Sequence, residues 1–239
     1  MKILIVSDIH ANLEALRTVL AESYDELWVL GDLVNYGPNP SEVVDLIRLH
    51  AALVVQGNHD YALGAGSDPR CSNAFREMAR AVQNYTEPLL NADQRGFLRG
   101  LPRTAARTID GYRFSLCHAT PREPLFQYCP AEPARWALET EGLQVDMVLT
   151  GHTHVPFEMN LEKLRIVNPG SVGQPKHGAP TACYALWDDG RLSLRSCRYP
   201  VEDTVEKVRS LPVPMGIRSQ LAAVLLSGFP SGGATRLAI

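Results

Sequence analysis

Along the first sixty residues, unbroken apolar blocks alternate with blocks in which apolar residues recur every three or four positions. Ile3-Leu4-Ile5-Val6, Leu27-Trp28-Val29-Leu30 and Leu53-Val54-Val55 are continuous runs of buried-strand type. Between the first two, Leu13, Leu16 and Leu20 fall at helical spacing behind Asn12, a helix-capping residue type. The next helix opens with Asn39 as cap, Pro40 at the first helical position and Glu42 at the third, close to a capping box; Val43, Val44, Leu46 and Ile47 give it a buried face. Strand, helix, strand, helix, strand, with no alternation inside the strands, predicts a largely parallel sheet covered by helices.

Residues 67–101 read as helical. Two hairpins come next: Asp110-Gly111 joins strands at 105–109 and 112–117, and Asp188-Asp189-Gly190 joins strands at 181–187 and 191–197. A further strand is expected over Val145–Leu149. From Pro200 the pattern predicts a charged helix, a Pro-rich break at Leu211–Pro214, a second helix and a Ser/Gly-rich end that frays. No repeat or linker stands out, so residues 1–239 are expected to form a single domain, with the tail from about 212 to 239 peripheral.

Composition narrows the function classes. The net charge of −3, with both signs mixed along the chain, shows no basic stripe, so no stable nucleic-acid complex is expected. Five widely spaced cysteines without a C-x-x-C pair argue against a disulfide framework or a zinc ribbon and for a reducing, cytoplasmic compartment. The apolar stretch before Asp8 is too short for a signal-peptide core, and Leu221–Leu226 is too short for a membrane span.

The chemistry lies where the apolar runs stop. Asp8-Ile9-His10, Gly31-Asp32, Gly57-Asn58-His59-Asp60, Cys117-His118 and Gly151-His152-Thr153-His154 each come at the end of a strand. In open α/β sheets, ligands bind outside the carboxyl ends of the strands. Five strands would thus deliver carboxylates, imidazoles and an amide to one edge, with each i, i+2 pair pointing the same way from an extended segment. Two divalent ions gathered there would clamp a phosphoryl group and lower the pKa of bound water. Mixed Asp, His and Asn donors suit Mn, Fe, Zn, Ni or Co rather than Ca.

In order and type, these motifs resemble those of the calcineurin-like metallophosphoesterases, from residue 5 to about 175, including Asn168-Pro169-Gly170-Ser171 of small prokaryotic members. The resemblance implies a four-layer αββα sandwich of two mixed β-sheets flanked by helices, with both hairpins joining the second sheet. It assigns Asp8, His10 and His154 to one metal, Asn58, His118 and His152 to the other, and Asp32 to both. His59 would contact the phosphate and protonate the leaving oxygen while metal-bound hydroxide attacks phosphorus in line. The implied activity is a phosphodiesterase or phosphatase on a small phosphorylated or nucleotide-like substrate. The alternative is a non-catalytic scaffold or regulatory subunit using the same fold.

One departure stands out. Where phosphoprotein phosphatases of the family carry an acidic partner for the histidine and an arginine for phosphate, this chain has Asn35 and Tyr36. Asn35 or Asp60 is left to orient His59, and a phosphoprotein substrate is disfavoured. Arg122, Tyr36 and His177 are candidate substrate contacts. His50 reads as a helix-end residue, Cys117 as a core residue, and the cysteines generally as bystanders.

Overall fold

The computed structural model describes residues 1–71, 73–162 and 164–229. Strands β1 (Lys2–Val6), β2 (Glu26–Val29) and β3 (Ala51–Val54) are parallel and are connected by helices α1 (Leu13–Val19) and α2 (Pro40–His50). Asn12 caps α1 by accepting from Ala15 N at 3.1 Å. Asn39 makes no such bond; its side chain donates to Glu42 Oε1 at 2.8 Å, so the two side chains of the expected capping box satisfy each other instead of the helix backbone. Helices α3 (Asn58–Ala65), α4 (Asn73–Thr86) and α5 (Ala92–Gly100) come next.

The hairpin β4 (Thr104–Ile109)/β5 (Tyr112–Cys117) starts a second sheet. After α6 (Pro133–Glu139), it continues with β6 (Met147–Leu149), β7 (Phe157–Leu161) and β8 (Leu164–Asn168), in the order β4-β5-β6-β8-β7. The second hairpin, β9 (Ala182–Asp188)/β10 (Arg191–Cys197), does not join that sheet. β9 pairs antiparallel with β1, which places the hairpin on the free edge of the first sheet, in the order β10-β9-β1-β2-β3. β9 is buried over six successive residues, and the edge beside β1 offers cover on both faces that an outer position would not. The chain closes with α7 (Val201–Arg209) and α8 (Met215–Ser227).

Two mixed five-stranded sheets flanked by eight helices make the αββα sandwich. Strand periodicity assigns the layers. Ile3 and Ile5 of β1 meet Phe114, Leu116, Met147 and Leu149 between the sheets, whereas Leu4 and Val6 pack outward under Leu16, Val43 and Ile47. Cys117, Val148 and Ile166 face the other way, toward Trp136 of α6. The segment expected to be peripheral is packed as far as residue 229: Ile217, Leu221 and Leu225 of α8 bury against Met78 and Val82 of α4 and against Tyr36. The expected frayed end, 230–239, lies outside the described residues. No described helix is long and apolar enough to cross a membrane.

Candidate metal centre

The expected site residues come together at the carboxyl ends of β1, β2, β3, β5 and β6. Their donor atoms fall into two groups that share one oxygen. In the first, His10 Nε2 lies 3.2 Å from His154 Nε2, and the two lie 3.9 and 3.3 Å from Asp8 Oδ1. In the second, His118 Nε2 lies 3.1 Å from both Asn58 Oδ1 and His152 Nδ1. Asp32 Oδ2 stands between them, 3.7 Å from His10 Nε2 and 3.3 Å from His118 Nε2.

The i, i+2 expectation is corrected here. Asp8 and His10 share a group, but His152 and His154 divide between the two. Neither segment is extended: Asp8, His10, Asp32, His152 and His154 all have left-handed backbones, with φ from 46° to 64°. Each such non-glycine residue costs on the order of 1–3 kcal/mol, and strain of this kind collects at functional sites. Close backbone approaches hold the turns. A Cβ on Gly57 would lie 2.1 Å from Asp32 Oδ1, and one on Gly151 would lie 1.9 Å from Ser7 Oγ.

The outer hydrogen bonds fix the ring states. Nδ1 of His10, His118 and His154 donates to the carbonyl oxygens of Val34, Leu30 and Gln174 at 3.0, 2.8 and 2.6 Å, which turns each Nε2 inward; on neutral His10 and His154 that nitrogen carries the lone pair. Asn58 Nδ2 donates to Pro69 O at 2.8 Å, so Oδ1 also faces inward. Burial pushes the Asp8 carboxyl up to about 6, and drives His10 down to about 4 and His154 well below its ordinary value. For Asp32, burial is outweighed by His118, His59 and His10, which hold its carboxyl well below the ordinary range; Asp32 in turn raises His118 to about 9 against burial.

These donors fit cations. Inward-facing imidazole lone pairs 3.2 Å apart cannot hydrogen-bond to each other, and the buried Asp8 Oδ1 has no hydrogen-bond partner among the described residues. Asp8, His10 and His154 form one group able to hold a metal ion, Asp32, His118 and His152 another, and His10, Asp32 and His59 a third that overlaps both.

His59 lies beside the cluster in the first turn of α3, where its N–H donates to Asp32 Oδ1 at 2.9 Å. Asn35, not Asp60, orients its ring. Asn35 Oδ1 accepts from Tyr36 N at 3.0 Å, and Nδ2 donates to Ala79 O at 3.2 Å and to His59 Nδ1 at 2.8 Å. The imidazole proton is therefore on Nε2. Burial holds this ring neutral, with its pKa lowered to about 3. Asp60 is fully occupied by the backbone N–H groups of Asp32, Leu33 and Gly57.

Of the three expected substrate contacts, Arg122 is engaged at the surface by Glu141 at 2.7 Å. His177 packs against Thr181 and Cys183. Tyr36 is a buried wall, edge-on to His10 and His59 at centroid distances of 4.9 and 4.8 Å. Cys117 is a core residue as expected, but Cys71 is no bystander: its Sγ lies 3.4 Å from both His59 Nε2 and Tyr36 OH. Sequence reading singled out His177 in the loop Gln174–Gly178 but not Gln174 or Lys176, which stand three and five residues past the Asn168–Ser171 motif.

The family model for the calcineurin-like phosphoesterase superfamily domain matches residues 1–189. The chain belongs to this superfamily. It is thus a phosphoesterase, and it resembles solved and curated members over most of its length. The crystal structure of a metallophosphoesterase from Sphaerobacter thermophilus is 34% identical, covers 93% of this chain and 99% of that one, and superposes with a TM-score of 0.79. Phosphodiesterase YfcE of Escherichia coli is 28% identical, over 81% of this chain and 91% of its own. A symmetrical bis(5'-nucleosyl)-tetraphosphatase of Thioalkalivibrio sulfidiphilus is 29% identical, over 64% of this chain and 55% of its own.

Proposed function

We propose that this phosphoesterase hydrolyses a small or nucleotide-like phosphate ester with two divalent ions, Mn, Fe, Zn, Ni or Co, in the paired donor groups. Asp8, His10 and His154 would hold one ion, Asn58, His118 and His152 the other, and Asp32 both. The observation that carries this reading is Asp32 Oδ2, within 3.7 Å of a donor nitrogen from each group. When bound, such ions supply positive charge to the phosphoryl oxygens and lower the pKa of water.

The chain's own residues supply the rest. The carbonyls of Val34, Leu30 and Gln174 hold three ligand rings in one tautomer, so little reorganisation remains when substrate arrives. His59 keeps its proton on Nε2 and donates it as a hydrogen bond to the leaving oxygen. Asn35 sets that tautomer, and Tyr36 shields the rings of His10 and His59 from water. The activities named for the phosphodiesterase and tetraphosphatase relatives support ester hydrolysis and a nucleotide-like substrate.

The test starts from chelator-stripped protein assayed on p-nitrophenyl phosphate, bis-p-nitrophenyl phosphate and nucleotides, with each metal restored. Turnover should require one of the five metals. Asp32→Asn and His59→Ala should each lower it by about 100-fold or more. Turnover that survives both the chelator and Asp32→Asn would refute the two-metal reading.

A further inference from the structure

Two residues beyond Gln174, whose carbonyl oxygen orients His154, the same loop carries Lys176. Lys176 is half-buried, with Nζ 4.6 Å from the centroid of the Phe75 ring on α4. It has no ion-pair or hydrogen-bond partner among the described residues. Its charge nevertheless acts on Asp8, His10, His59, Cys71, His152 and His154, spanning both donor groups and the proton-bearing histidine. A half-buried ammonium without an ion-pair partner is costly, and an aromatic ring offsets only part of that cost. Burial lowers the Lys176 pKa, whereas Asp8, Cys71 and Asp32 raise it.

The group is held in place. Val172 N and Gly173 N donate to Ser7 O and Asp8 O, both at 3.0 Å, and so tie the loop before Lys176 to the exit of β1. Beyond it, Gly178 N donates to Gly228 O at 3.0 Å, and the Phe229 ring packs on Gly178. A cation fixed at both flanks in the loop that holds His154, with no ion-pair partner among the described residues, is preorganised for an incoming anion. The other candidate cation in the sequence, Arg122, is occupied by Glu141.

Building on the function proposed above, we propose that Lys176 is the substrate-phosphate contact of this enzyme, and that it selects substrates with negative charge beyond that of a simple diester. The extra charge is either the second charge of a monoester dianion or that of a neighbouring phosphate in an oligophosphate chain. Lysine serves such groups as a point charge that adapts to either geometry.

The experiment compares wild type, Lys176→Met and Lys176→Arg, each stripped and reloaded with metal. Substrates are p-nitrophenyl phosphate, bis-p-nitrophenyl phosphate and diadenosine tetraphosphate. Lys176→Met should lose roughly tenfold or more in kcat/KM on the monoester, the tetraphosphate or both, mainly through KM. Its loss on the diester should be several-fold smaller, and Lys176→Arg should restore most of the difference. The charged substrate that suffers more identifies the source of the extra charge. In parallel, calorimetry should find metal binding unchanged in Lys176→Met and inorganic phosphate bound about tenfold more weakly. Equal losses on all substrates, unchanged phosphate affinity or lost metal in Lys176→Met would each overturn the assignment. If wild type hydrolyses nothing, the proposed function fails, and the phosphate titration still decides Lys176.

Discussion

Asn35 makes three hydrogen bonds through two amide atoms, and its left-handed φ of 72° is one that asparagine tolerates better than most residues. That combination decides which nitrogen of His59 carries the proton. Asn35→Ala should release the ring into both tautomers, visible in its 15N shifts, and lower kcat by about tenfold or more while both metals stay bound. An unchanged kcat would mean that His59 needs no partner. The sequence marked Asn35 only as a departure from an acidic residue. It left Asp60 as an equal candidate, because both lie just past a strand end and only contacts across the fold separate them.

The elements that carry the donors are short, and the turn at the end of each strand matters as much as the strand itself. Gly57 sits against the carboxylate and backbone nitrogen of Asp32, where a Cβ would meet them at 2.1 and 2.3 Å. Gly57→Ala should therefore destabilise the protein by roughly 1–3 kcal/mol or more and abolish metal binding. Gly96 offers the control. It is exposed within α5, and a Cβ there would meet nothing within 4 Å. Gly96→Ala should stabilise by about 0.5–1 kcal/mol in a denaturant titration; the same sign for both variants would refute the packing argument. Continuous apolar runs revealed β1, β2 and β3, and Asp-Gly turns revealed both hairpins, since these signals are local. β7 and β8 went unread although Phe157, Met159 and Leu161 alternate with polar residues, because no Gly or Pro turn marks their junction. The edge to which β9–β10 attaches was not local information at all; it comes from β9 being buried on both faces beside β1.

For the whole molecule, the donor cluster is a liability unless cations balance it: five left-handed donor residues, a buried carboxylate oxygen without a partner among the described residues, and lone pairs facing one another. Cations that bind only the folded form should relieve it. At a hundredfold excess over Kd, a divalent ion should stabilise by about 2.7 kcal/mol. That corresponds to roughly 5–10 °C in Tm, which chelator should reverse and Asp32→Asn should largely remove. A Tm indifferent to metal would argue that the centre stays empty. The sequence by itself determined the donor set and its delivery to one edge, because an apolar run that ends in Asp, Asn or His is a local pattern with a local cause. The family resemblance implied the grouping, but only the tertiary structure shows how it is built: His154 against Asp8 and His10, His152 against His118, and Asn35, not Asp60, on His59. Those pairings join residues as far as 146 positions apart through left-handed turns that neighbouring side chains disfavour and that only the packed sandwich holds in place.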